Sequence, residues 1–560
     1  MTFNKVVFDI ETTMTADKIW CIVCKHGDTY YQFKEDRLHR FAELIKQTEE
    51  VIGHNIIGFD IPVVNTIFGY DVFANCKVTD TLVLSRLLNP MIEGGHSLKN
   101  WGTKLGQNKI HFEQFDYFSE DMLTYCRNDV ELTERLYKFL INKTKDFGMS
   151  IELEHKVAQI IQKQHERGFK INVVEAYELQ SKFQEDMNDL TTKVRQTFPP
   201  MKIEEEFIPK SNNKARGYVK GVPFTKVKYK EFNLGSRQQI AERLMLLGWK
   251  PKKKTDKGHV IVDEKVLSEI HNIPEAKLIN RFLMLQKRIA QVNSWIEGIK
   301  EDGRVHGKVI TNGTITGRMS HQSPNMAQIP AVYSPYGKEC RALWTVNKGY
   351  KLVGVDASGL ELRMLAHYMN DKDYIYEVVN GDIHRANQAA AGLESRDKAK
   401  TFIYAFIYGA GSAKIGSIIG GSTADGERAK EKFLRATPSL RSLREKVERV
   451  AQRRWVRGLD QRKIIIRHPH AALNTLLQGA GAIVMKYALT LLEQYVINKQ
   501  IKAFPVVNVH DEFQYEVEES RAEEFGRLAV QSIIDAGKKL NIRCPLNGEY
   551  KIGNNWSETH

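Results

Sequence analysis

The sequence predicts an α/β chain of several domains, and three observations predict it. A length of 560 residues exceeds the size at which one hydrophobic core stops growing, so two to four domains are expected. Short alternating apolar runs, VVFDIE near the start and VVNVHDEFQYEV near the end, read as strands. Long segments of helical period lie elsewhere, among them IELEHKVAQIIQKQHERGF and the stretch from 274 to 299. A hydrophobic fraction of 42% and a charged fraction of 27% are those of an ordinary globular protein.

In the first strand, Asp9 and Glu11 fall on one side, because residues two apart share a face. GHNIIGFD then supplies Asp60 after a glycine-punctuated apolar stretch. SEDMLTYCRNDVELTERLYKFL reads as a helix capped by Ser119, with Tyr125 and Asp129 four apart on one face. Four carboxylates brought together repel unless cations neutralise them, so a metal site explains them economically. Scattered surface acids are the alternative for DIE alone. Asp80, at a strand-to-helix boundary, is expected to be a structural cap. Cys21-x-x-Cys24 has no second pair to finish a zinc site, so both are expected to be buried strand residues. Six cysteines in so long a chain argue against a disulfide framework.

The middle of the chain, from about 150 to 295, is helical in period except for Pro199 to Phe232. That segment is polar, basic and broken by Pro and Gly, and is expected to be a flexible loop. The formal charge of +14 and pI near 9.2 favour a polyanionic partner. Basic clusters at 214–230, 250–257 and 441–467 add to that expectation. No uninterrupted run of about 18 apolar residues occurs, and the first twenty residues lack the pattern of a signal peptide. A cytoplasmic protein with no membrane partner is expected.

Beyond 300, Asp356 closes the apolar run Lys351 to Val355, as a strand does when it delivers a carboxylate to a cleft. In RDKAKTFIYAFIY, Arg396, Lys400, Tyr404 and Tyr408 recur every four residues and stay on one side of a helix. Two cations followed by two phenol rings match a nucleoside triphosphate, with phosphates at one end and a flat base at the other. The same spacing also suits an amphipathic helix with a core of Phe402, Ile403, Phe406 and Ile407. His510-Asp511-Glu512 lies between two alternating runs and suggests a hairpin with acids at its tip. Two carboxylates can hold two divalent ions about 3.5–4 Å apart for an in-line phosphoryl displacement.

DASGLELR, RDKAKTFIYAFIYGAG and VHDE resemble the three signature motifs of family A DNA polymerases, most closely the bacteriophage replicative type. TGRMSHQSPNMAQIP and HAALNTLLQGAGA extend the resemblance, which covers almost the whole chain. DIE, N-x-x-x-F-D and Y-x-x-x-D resemble the tyrosine-containing branch of the DEDD exonucleases. The resemblance implies a ribonuclease H-like exonuclease domain followed by a right-hand polymerase, with an antiparallel palm sheet and helical fingers and thumb. It divides the chain into an exonuclease domain at 1–148, a thumb at 149–300, a first part of the palm at 301–373, fingers at 374–477 and a second part of the palm at 478–560. With Asp9 so near the start, no 5′-nuclease domain is expected ahead of it.

The function so implied is viral DNA replication: addition of dNTPs to the 3′ end of a primer on template DNA, with 3′→5′ proofreading. Asp356, Asp511 and the carbonyl of Ala357 would hold two Mg²⁺ ions, for which Mn²⁺ can substitute, with Glu512 beside them. Asp9, Glu11, Asp60 and Asp129 would hold two more while Tyr125 orients an attacking water. His384, Arg396 and Lys400 would contact the phosphates, with Tyr404 and Tyr408 on the same helix face. Glu361 would exclude a 2′-hydroxyl, Arg318 and Gln478 would read minor-groove acceptors, and His510 would touch the primer terminus. A replicative helicase-primase is a partner of the implied class. A thioredoxin-type processivity factor is not expected, because 34 residues at 199–232 stand where thioredoxin-recruiting relatives carry a long basic insertion.

Two enzymatic alternatives stay open at this level. An exonuclease with a degenerate polymerase body would be expected to lose Asp356 or Asp511, and both are present. A single-subunit RNA polymerase would lack the N-terminal acids and Glu361. A non-enzymatic DNA-binding protein, the third possibility, needs no two separate sets of carboxylates in a basic chain.

Overall fold

The structure is a computed structural model that describes residues 3–255 and 257–560. It has two compact units: one combines the chain up to Lys170 with His306–Gln328 and Trp344–His560, and the other combines Ile171–Val305 with Ile329–Leu343.

In the first unit, the N-terminal sheet has the order Thr29–Lys34, Ile19–His26, Phe3–Thr12, Thr48–Gly53, Lys77–Asp80. Its first three strands pair antiparallel and the last two join parallel. Val6, Phe8 and Ile10 turn to a core with Phe41 and Phe73, which leaves Asp9 and Glu11 on the opposite face. Cys21 and Cys24 are buried strand residues with free thiols, as the missing second pair suggested. Asp80 caps the Thr81–Leu88 helix by accepting from the Leu82 amide at 2.8 Å, and it also binds the amides of Asn55 and Ile57.

A second sheet in this unit is wholly antiparallel, in the order Ala503–Val509, Glu512–Glu518, Tyr350–Ala357, Gly548–Gly553. Val353, Val355, Phe513 and Tyr515 join its buried side to the core of helices Ala472–Lys499 and Ala522–Lys539. The stretch Pro469–Lys499 has the length and apolarity of a membrane span, but 83% of its most apolar window is buried within the fold, as in a core helix. The boundary expected at 477/478 falls inside this one continuous helix.

The second unit packs helices Val173–Thr197 and Glu275–Glu297 around Val194, Phe198, Ile279 and Leu283. Here one expectation is corrected. Pro199 to Phe232 is not a flexible loop: Met201–Phe207 and Phe224–Lys230 form an antiparallel hairpin. Cross-strand contacts stabilise it, including Glu205 with Lys228 at 2.6 Å and Lys226 over the Phe207 ring at 3.5 Å.

Candidate active sites

The N-terminal acids come from three elements. Asp9 and Glu11 stand on the central strand, Asp60 is the first residue of the Asp60–Phe68 helix, and Asp129 lies on the Glu120–Thr144 helix. Ser119 starts that last helix by accepting from the Met122 amide at 3.1 Å, which phases Tyr125 and Asp129 onto the sheet side. Burial and then the charges of Asp60, Glu11 and Asp129 hold the Asp9 carboxyl well above the usual range. Glu11 is pushed up to about 9, by burial first and then by Asp129. Asp60 is pushed up to about 7 by burial, while backbone amides of Asp60 and Ile10 pull the other way.

Such a cluster suits a divalent cation. The Asp129 Oδ1 atom is buried without a hydrogen-bond partner. Ligand atoms of Asp9, Glu11 and Cys126 approach within 4.8 Å of one another. Burial drives the Cys126 thiol far up, so it stays protonated and the hard donors are the carboxylates.

The second centre forms where two strands of the antiparallel sheet end. Asp356 lies at the end of Tyr350–Ala357, directly opposite Glu512. A two-residue turn, His510-Asp511, joins the paired residues Val509 and Glu512, and His510 adopts a φ of 57° to make it. The Ala357 amide donates to the Asp511 carbonyl at 3.1 Å, tying the two ends together. Burial, then the charges of Asp511 and Glu512, push Asp356 up to about 7, and burial raises Asp511. These are hard oxygen donors that repel one another, and they fit a divalent metal.

Glu512 does not sit at the tip as expected. It is the buried first residue of its strand, and its carboxylate accepts from Trp556 Nε1 at 2.6 Å and Gln514 Nε2 at 2.7 Å. His560 Nδ1 lies 2.9 Å from its other oxygen. It backs the centre instead of offering a free carboxylate.

Around this centre, the Arg396–Ile407 helix buries Phe402, Ile403, Phe406 and Ile407 and exposes Arg396 and Lys400. Arg396 Nε donates to Asp382 at 2.8 Å, and Asp382 caps the helix that carries His384. The His384 and Tyr404 rings are 6.3 Å apart. Tyr408 donates to both oxygens of Glu361 at 2.7 and 2.8 Å, and Arg318 Nη2 donates to the same carboxylate at 3.1 Å. Gln478 donates to Asn474 at 2.9 Å from the Ala472–Lys499 helix. Burial and the Arg318 charge lower the pKa of His510. Burial and then the charges of Glu361 and Asp511 raise that of Tyr404, so Tyr404, Glu361 and Asp511 share one electrostatic environment.

A family model, DNA polymerase family A, matches residues 215–558. The chain belongs to DNA polymerase family A. The DNA-directed DNA polymerase of Enterobacteria phage T3 is 32% identical over 99% of this chain and 100% of that protein. That of Escherichia phage T7 is 34% identical over 87% of this chain and 88% of its own. In fold, the chain resembles the POL domain of Pol1 from M. smegmatis in complex with DNA primer-template and dNTP. The TM-score is 0.82 at 18% identity, covering 99% of this chain and 95% of that one.

Two features of this family A polymerase escaped sequence reasoning. Lys109, in an irregular segment with no period, places its ammonium 2.5 Å from Asp129 Oδ2. His560 and Trp556, at the end of the chain, reach Glu512. Neither position carries a local signal, because long-range packing alone makes the contact.

Proposed function

We propose that this DNA-directed DNA polymerase, of phage replicative type, extends a primer at the Asp356–Asp511 centre and removes mispaired 3′ ends at the Asp9–Glu11–Asp60–Asp129 centre. The observation that carries the reading is the pair of separate carboxylate clusters in one family A chain, one largely buried around Glu11, Asp60 and Asp129 and one opening to solvent at Asp356, where crowding raises carboxyl pKa values in a way that a cation would relieve. Asp356, Asp511 and the Ala357 carbonyl hold one pair of magnesium ions, for which manganese substitutes; Asp9, Glu11, Asp60 and Asp129 hold the other. Such ions activate the attacking oxygen and neutralise charge on the leaving group.

The remaining work belongs to side chains. Arg396 and Lys400 form a cationic end for the phosphates of a dNTP, beside which His384, its pKa lowered by burial, is a further phosphate contact, and Tyr404 lies further along the same helix. Glu361, pinned by Tyr408 and Arg318, is a fixed wall beside the sugar. Arg318 and Gln478 donate to minor-groove acceptors that every correct pair presents, and His510 contacts the primer end. At the other centre, Tyr125 orients the water that attacks the terminal phosphodiester. We assign the thumb, palm and fingers as the family resemblance divides them. The partners are primer-template DNA and dNTPs, together with a replicative helicase-primase, in the host cytoplasm.

A primer-extension assay with and without dNTPs tests both activities. Net synthesis with dNTPs and Mg²⁺-dependent shortening without them is the expected result. Extension without any shortening would remove the proofreading half.

A further inference from the structure

The segment between helices Leu98–Leu105 and Glu120–Thr144 wraps the residue assigned to orient water at the N-terminal centre. Phe112 stacks on the Tyr125 ring at 5.3 Å and 27°, and Phe115 meets its edge at 6.3 Å. The segment is fixed at both ends of this contact. Trp20 Nε1 donates to the Phe115 carbonyl at 2.9 Å, and the Ile110 amide donates to Asn128 Oδ1 at 3.2 Å. Lys109 opens it. Its Nζ lies 2.5 Å from Asp129 Oδ2 and 4.7 Å from the Tyr125 ring centroid. The one ammonium therefore touches both the phenol ring and the carboxylate, while Asp129 Oδ1 is left buried with no partner.

The other side of Lys109 faces an open cavity of about 700 Å³ that it lines with His54, Asn55, Arg86 and His96. A cation fixed between this cavity and the acids has two effects. It holds the phenol and the carboxylate in one mutual geometry, so that a water bound between them meets a set orientation. It also sits as a fixed positive charge among four carboxylates, where it competes with any other cation.

We propose that Lys109 is a positioning residue of the hydrolytic centre, locking Tyr125 and Asp129 in register at the cost of weaker metal binding there. The inference rests on the proofreading reading of the N-terminal acids. It predicts opposite signs for two quantities that a merely structural residue would move together. Removing this unit positive charge from among the acids tightens binding of a divalent cation, by about tenfold or more. Losing the lock slows hydrolysis.

The test compares wild type, Lys109→Met and Lys109→Arg. Mn²⁺ affinity is read by electron paramagnetic resonance in an Asp356→Ala background, so that the N-terminal centre dominates the signal. Single-strand digestion is read as separate kcat and KM. For Lys109→Met we expect a lower Mn²⁺ Kd, a kcat reduced about tenfold or more and a KM within about twofold of wild type. Lys109→Arg restores most of kcat, and primer extension with Asp356 intact reports that each variant folds.

Weaker or unchanged Mn²⁺ binding, or wild-type digestion by Lys109→Met, overturns the proposal. So does a raised KM at unchanged kcat, which would make Lys109 a phosphate anchor only. If wild type itself shows no digestion sensitive to Asp9→Ala with Glu11→Ala, the proofreading reading falls and takes this inference with it. If wild type digests and Lys109→Met equals it, only the inference falls.

Discussion

Lys486 and Glu154, 332 residues apart in sequence, meet in a fully buried site, where the ammonium donates to both carboxylate oxygens at 2.7 and 2.9 Å. Arg462 Nη1 reaches the same carboxylate at 2.6 Å, and Asp460 pairs with Arg462 Nη2 at 2.6 Å. Lys486 also donates to Asn312 at 2.9 Å, in the loop that follows the strand Lys308–Ile310 and leads to Arg318. Two acids and two bases balance in charge, so the group is neutral only while it is complete. Removing one partner of a buried pair leaves an uncompensated charge and costs about 3–5 kcal/mol. Lys486→Met should therefore lower the apparent thermal midpoint sharply. Combining it with Glu154→Gln should cost less than the sum of the two single changes, as coupled neighbours do. Additive losses in scanning calorimetry would mean that the pair is not coupled.

The two carboxylate centres stand on different sheets, so their chemistries should separate. Asp9→Ala with Glu11→Ala is expected to abolish digestion of single-stranded DNA and leave primer extension. Asp356→Ala is expected to do the reverse, since a two-metal centre loses most of its transition-state stabilisation with one ligand. Equal loss of both activities in either variant would contradict the assignment.

Sugar choice depends on a carboxylate and a phenol. Glu361 is held by Tyr408 and Arg318, whereas half-buried Tyr404 lies on the same helix face one turn before Tyr408. If the Tyr404 hydroxyl replaces the contact that a 3′-hydroxyl makes, dideoxynucleotides should be accepted readily. Tyr404→Phe should then raise discrimination against them about tenfold, for a hydrogen bond of about 1.4 kcal/mol. An unchanged ratio of kcat/KM for dideoxy and deoxy substrates would reduce Tyr404 to a packed aromatic.

Proton linkage gives a fourth handle. Glu11 at about 9 and Asp60 at about 7 both sit above their unfolded values near 4. Between those limits the folded, metal-free protein keeps protons that the unfolded chain has released. Its stability should thus fall as pH rises from about 4 towards 9. A bound divalent cation replaces those protons and becomes more favourable over the same range. The gain in thermal midpoint on adding millimolar Mg²⁺ should increase between about pH 6 and 9, and Asp9→Ala with Glu11→Ala should remove most of the increase. A gain independent of pH would argue against these acids as the metal site.

What was legible in the sequence had a short period. The alternation of VVFDIE set Asp9 and Glu11 on one face, the four-residue spacing from Arg396 to Tyr408 read as a helix, and Ser119 announced its own helix. Contacts closed by tertiary packing were not legible: Lys109 on Asp129, His560 on Glu512, and the buried group around Glu154. The hairpin at 201–230 was missed for a different reason. Its first strand, MKIEEEF, keeps apolar residues at 201, 203 and 207 but interrupts the alternation with three consecutive acids, of which Glu205 finds its partner, Lys228, only across the hairpin.

That hairpin carries the last prediction. Three of its seven cations at or beyond Lys210 are already engaged, Lys226 with the Phe207 ring, Lys228 with Glu205 and Lys230 with Glu242. Lys210, Lys214, Arg216 and Lys220 are exposed in the connection between the strands. A rigid two-stranded stem presenting four cations at its end is suited to hold a polyanion, and each phosphate contact contributes about 0.9 to the logarithmic salt dependence of duplex binding. Replacing those four with Ser should shorten the products made per binding event at low salt and lower the salt slope of primer-template binding by up to about 3.6. The difference should fade as ionic strength rises and the charges are screened. Thioredoxin added to wild type should leave product length unchanged if the stem acts by itself. A variant with wild-type product length and salt slope would make the hairpin a passive connector, and marked lengthening by thioredoxin would make it a docking site for a clamp.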